Sequence, residues 1–117
     1  MFARLMGLNV ISPAALRQRM QQPEPITVID VNSRQSWLTA RVPGALTLDP
    51  LAFGEQELPA DKNAMLVFYC SGTFCRKAPN AARRAKDMGY RNVHVMSAGI
   101  SGWLAAHFPT ESGSRPA

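Results

Sequence analysis

MLVFYCSGTFCRK, residues 65–77, decides how the chain folds. Met65 to Tyr69 is the most apolar short run present, the composition of a central strand covered on both faces. Cys70 follows it at once. After the loop Ser71-Gly72-Thr73-Phe74, a segment from Cys75 to Met88 places Ala78, Ala81, Ala82 and Ala85 on or near one side of a helix. Pro79 is tolerated only near the first turn, and Gly89 ends the helix. Strand, cysteine loop and helix in this order predict a parallel β-α unit with Cys70 where strand meets loop.

Upstream, Ile26 to Val31 (ITVIDV) is a second run without alternation before Asp30, as expected of another doubly covered strand. Leu8, Val10 and Ile11 suggest an edge strand. Ser12-Pro13 opens a helix to about Met20, because serine caps free amides and proline suits the first helical position. Ser33 caps a short helix to about Ala40. Val42-Pro43-Gly44 then forces a turn before a small strand at 45–48. Residues 49–61 read as a loop with at most one or two helical turns. Downstream, 92–96 supply a strand and 99–106 a last helix closed by Pro109. Alternating strands and helices predict an α/β fold, a mostly parallel central sheet flanked by helices on both faces. One domain over 1–109 is expected, with 110–117 as a flexible tail.

The chain has 117 residues, 46% hydrophobic and 18% charged, enough for one modest core. It has no apolar run long enough to span a bilayer, so no membrane association is expected. Gly7 and Asn9 interrupt the apolar start MFARLMGLNVISPAAL, which is therefore read as leading into the fold and not as a cleaved leader. Cys70 and Cys75 lie in one short segment and give no distributed disulfide framework, so a reducing cytoplasm is the expected compartment. Thirteen basic and eight acidic residues give a net charge of +5. The densest basic patch, Arg76, Lys77, Arg83, Arg84 and Lys86, has no interleaved aromatics, so nucleic acid is not the expected partner. A small anionic substrate or an acidic protein partner suits this charge better.

In open α/β sheets, ligand sites lie beyond the carboxyl ends of strands, where helix amides carry partial positive charge. If Ser71 to Arg76 curl around the Cys70 sulfur, their amides form an anion cradle and Gly72 eases the turn. That field favours the thiolate, the reactive form. Alone, Cys70 reads equally as a small buried residue. Arg76 is either an anion clamp or a solvated side chain. Asp30 either orients the loop or serves a turn. His94 and His107 form no ligand pair with the cysteines, so no metal is expected. Trp37 and Trp103 read as core aromatics.

VIDVNSRQSWLTARVPGA (28–45), YCSGTFC (69–75) and AGISGWLAAHFP (98–109) together resemble the rhodanese family, over about 11–109. The resemblance implies a persulfide cycle without metal or organic cofactor. Cys70 would take a sulfane sulfur from thiosulfate or a similar donor and pass it to a thiol or cyanide acceptor. It also implies Ser71, Gly72, Thr73, Phe74, Cys75 and Arg76 as the substrate loop. The sequence departs from the family pattern at Asn32, where arginine is common, and Arg34 is a candidate substitute. Ala40-Arg41 stands in place of Gly-His. The loop itself is one residue longer before its arginine and carries a second thiol. Cys75 is therefore either a packed residue or a resolving thiol that attacks the Cys70 adduct and leaves a disulfide. The Cys-x-x-x-x-x-Arg spacing also suits a phosphatase or arsenate reductase, although no leaving-group acid is evident beside the loop. A non-catalytic sulfur carrier or partner-binding module is a third reading.

Overall fold

The computed structural model describes residues 2–114, so of the expected tail at 110–117 only 115–117 lie outside the described residues. Five parallel strands form one sheet in the order β1-β5-β4-β2-β3. They are β1 Asn9–Val10, β2 Ile26–Asp30, β3 Leu46–Thr47, β4 Met65–Tyr69 and β5 Asn92–Val95. The helices are α1 Phe2–Leu5, α2 Pro13–Met20, α3 Arg34–Thr39, α4 Lys77–Asp87 and α5 Gly99–Ala105. The most apolar run is thus the middle strand, as its composition requires. Among the described residues, no helix is long and apolar enough to cross a membrane.

Strand parity divides the core. Leu66, Phe68 and Cys70 face α4, together with Ile29, Val93 and Val95. Val67 and Tyr69 face the other way, packing with Leu16 of α2 and with Ile100 and Trp103 of α5. Ala78, Ala81, Ala82 and Ala85 are all buried. These small side chains fill the inner face of α4, while Arg83, Lys86 and Asp87 remain in solvent. The expected caps form: Ser12 Oγ accepts from Ala15 N–H at 3.1 Å and Ser33 Oγ from Ser36 N–H at 3.3 Å.

Three features differ from the sequence-based expectation. Residues 2–5 form α1, which places Ala3 in the core beside Cys70. Helix α4 starts at Lys77 and not at Cys75, because the Cys75 amide instead closes a turn onto the Gly72 carbonyl at 3.1 Å. The segment expected as a flexible tail is tied down at Glu111 and Gly113. Glu111 and Arg41 exchange two backbone hydrogen bonds of 2.9 Å, and Gly113 N–H donates to the Leu38 carbonyl at 2.7 Å. Arg41, expected as a rim charge or support, is 2% exposed. Its guanidinium donates to the Trp37 and Gly113 carbonyls at 2.9 and 2.8 Å, so it clasps this strap to α3. A buried guanidinium needs such acceptors to offset its desolvation.

Candidate active site

Cys70 sits one residue beyond β4, and the parity that sends Phe68 toward α4 sends the Cys70 side chain the same way. Its Sγ accepts a hydrogen bond from Ala78 N–H, in the first turn of α4, at 3.4 Å. Arg76 at the helix N-cap supplies no side-chain cap, so the sulfur takes the place of one. Helix α5 holds the loop from below. Ile100 N–H donates to the Cys70 carbonyl at 2.9 Å and Ser101 N–H to the Ser71 carbonyl at 3.1 Å. One helix start thus steadies the sulfur and another steadies the backbone that carries it.

The sulfur is not free. Cys70 and Cys75 are joined by a disulfide across a Cα–Cα distance of 6.4 Å, within the span such bridges use. Cys70 is 2% exposed, and Cys75 packs against the same apolar cluster. The expected open cradle of Ser71–Arg76 amides around an accessible sulfur is therefore replaced in this oxidised state. The amide on Cys70 belongs to Ala78, and the sulfur's other partner is Cys75.

Outside the bridge lies a groove of about 630 Å³, lined by Ser71, Gly72, Thr73, Phe74 and Cys75 of the loop. Asn32, Ser33 and Ser36 form its opposite wall, with Ser101 and Lys77 completing it. Phe74 at the loop tip is 76% exposed. Behind the bridge, a cavity of about 10 Å³, the room of a single water, touches both cysteines, Ala3 and Ser97. Sequence reading missed Lys77, Asn32, Ser33, Ser36 and Ser101 as wall residues. Only the positions of Asn32 and Ser33 just after β2 hinted at this.

Three residues singled out from sequence are not brought to the sulfur. The Arg76 guanidinium lies over the Phe2 ring, 4.4 Å from its centroid, and does not line the groove. Cation–π attraction to α1, a helix that was not anticipated, accounts for its direction. Arg34 lies over Trp37 at 5.9 Å and lines a neighbouring depression with Asp49 and Leu51. Asp30 pairs in register with Tyr69 and so belongs to the α2/α5 face of the sheet, opposite the Cys70 side chain. Its Oδ2 accepts from Tyr69 OH at 2.5 Å and its Oδ1 from Asn32 N–H at 2.8 Å. Burial pushes the Asp30 carboxyl above the usual range, while the Tyr69 hydroxyl and the Asn32 amide pull it back. Burial, followed by the neighbouring carboxylate, pushes the Tyr69 phenol upward, so it stays a donor.

A cysteine at the carboxyl end of the middle parallel strand, beneath the start of the next helix, defines a cysteine-centred site of an open α/β protein. The model of the rhodanese-like domain matches residues 12–106, and the chain belongs to that family. It is 27% identical over 108 residues to the thiosulfate sulfurtransferase GlpE of Haemophilus influenzae, covering 92% of this chain and 98% of that protein. It is 31% identical over 108 residues to an HTH-type transcriptional regulator of Mycobacterium tuberculosis. That match covers 91% of this chain and only 46% of the regulator, so the chain spans less than half the regulator's length. The BH2092 protein of Bacillus halodurans shares the fold with a TM-score of 0.81 at 23% identity, over 95% of this chain and 83% of that one.

Proposed function

We propose that the chain is a sulfurtransferase that loads a sulfane sulfur from thiosulfate or a similar small anionic donor onto Cys70 and delivers it to a thiol or cyanide acceptor. One observation carries this reading: the Cys70 sulfur lies at the end of β4 with the Ala78 amide of α4 directed at it. In the reduced protein that amide, and the helix field behind it, would favour the thiolate and later the persulfide anion. The thiolate attacks the outer sulfur of thiosulfate and sulfite leaves. The acceptor then attacks the outer sulfur of the persulfide and regenerates the thiolate. Lys77 supplies a positive charge at the groove for an anionic donor. No metal or organic cofactor enters either displacement. The kinship with GlpE, whose name gives thiosulfate as its donor, supports the same substrate class.

The phosphatase reading needs an arginine over the loop, and the position of Arg76 against Phe2 disfavours it. The test is thiocyanate formation from thiosulfate and cyanide by the reduced protein, with aryl phosphate hydrolysis measured in parallel. Wild type is expected to form thiocyanate and Cys70→Ser to fall to the uncatalysed rate. Unchanged turnover in Cys70→Ser, or aryl phosphate hydrolysis without thiocyanate, overturns the proposal.

A further inference from the structure

We infer that this chain has a second, reductive outcome: Cys75 intercepts the loaded Cys70 and releases the sulfur as hydrosulfide, closing the disulfide. The inference rests on the reading of Cys70 as sulfur acceptor and adds a reaction to it. Its basis is that the bridged loop is the product of such a step. The two cysteines are joined, Cys75 packs against the cluster that holds Cys70, and Phe74, the residue before it in the loop, is left in solvent. A nucleophile held on the same short loop competes with a diffusing acceptor at high effective concentration.

The chemistry balances. Cys70 thiolate and thiosulfate give the Cys70 persulfide anion and sulfite. The Cys75 thiol then loses its proton to the departing sulfur as its own sulfur bonds to Cys70 Sγ, breaking the bond to the outer sulfur, which leaves as hydrosulfide. The sulfane sulfur gains two electrons and the two cysteine sulfurs supply them. A dithiol reductant reopens the bridge, becoming a disulfide itself and restoring Cys70 thiolate and Cys75 thiol. The net reaction converts thiosulfate and a dithiol into sulfite, sulfide and a disulfide. The bridged state also gates the site, because Cys70 at 2% exposure cannot meet a new donor until the dithiol has acted.

The test is one anaerobic turnover of the reduced chain with thiosulfate and no added thiol, read by sulfide release and intact mass. Wild type is expected to release one sulfide per chain and to end two hydrogens lighter, as the internal disulfide. Cys75→Ser and Cys75→Ala are expected to retain the added sulfur on Cys70 and to release sulfide about a hundredfold more slowly, the advantage of the intramolecular thiol being lost. The second variant keeps the half-buried position apolar. If wild type holds the added sulfur as long as these variants do, or if they release sulfide at the wild-type rate, the inference fails while the transfer reading stands. If no form gains sulfur or releases sulfide, both fall.

Discussion

Gly99→Ala is expected to lower stability by about 3 kcal/mol and to slow sulfur loading about a hundredfold in the molecules that remain folded. Gly99 opens α5 with φ +63°, a backbone region that costs an L-residue about 1–2 kcal/mol by itself. The larger consequence is spatial. A Cβ at this position would stand 2.6 Å from the Cys70 carbonyl oxygen, the Ser71 carbonyl carbon and the Gly72 nitrogen. All three are backbone atoms, so no side-chain rotation relieves the contact. Either α5 retreats and loses the Ile100 and Ser101 amide bonds to the loop, or the loop lifts and takes the Cys70 sulfur off the Ala78 amide. A displacement of about an ångström at the reacting atom is enough for the rate loss stated. Gly44→Ala isolates the conformational share, since Gly44 has φ +77° with open space around its would-be Cβ. Urea unfolding and thiocyanate formation measured on both variants provide the check. Equal behaviour of the two would show that Gly99 does not support the loop.

Features of the site fixed by neighbours in sequence were legible, and those fixed by packing across the fold were not. Met65 to Tyr69 was legible as the middle strand because a strand covered on both faces must be apolar throughout, and Cys70 followed from adjacency alone. Helices α2 and α3 announced themselves through Ser12 and Ser33, whose caps are local in sequence. What escaped depends on groups distant in sequence. Arg41 meets Gly113 across the fold, and no local pattern marks an arginine as buried. The direction of Arg76 is set by Phe2, on a helix of a single turn that lacks a capping signal. The groove wall combines the segment after β2, the start of α5 and Lys77, which only the sheet order brings together. The cysteine pairing was legible as a choice between two roles. The geometry that joins the pair arises from a turn, Cys75 N–H to the Gly72 carbonyl, that delays α4 by two residues.

Tyr69→Phe is expected to destabilise the fold by about 3 kcal/mol at neutral pH, with a smaller deficit in acid. The Tyr69 hydroxyl joins two segments. It donates to Asp30 Oδ2 at 2.5 Å and accepts from Val42 N–H at 3.0 Å, with Asp30, Tyr69 and Val42 all fully buried. Phenylalanine keeps the ring and removes both bonds. A buried amide and a buried carboxylate oxygen each lose a partner, at about 1–3 kcal/mol apiece. The pH dependence follows from Asp30, whose carboxyl is raised by burial and drawn back first by the Tyr69 hydrogen bond. A carboxyl raised in the folded state favours folding below its unfolded value, and that contribution is lost as pH rises through the folded value. Without the Tyr69 bond the folded value rises further, so the variant loses more than wild type on going from acid to neutral pH. The stability gap therefore widens upward through the range above 3.8, the ordinary value of this carboxyl. Urea unfolding of both proteins from acid to neutral pH measures this gap. A gap independent of pH would mean that Asp30 does not sense the hydroxyl. Placing Asp30→Asn in both backgrounds removes the titrating group, and the gap between Asp30→Asn and Asp30→Asn/Tyr69→Phe should then show no pH slope from this site.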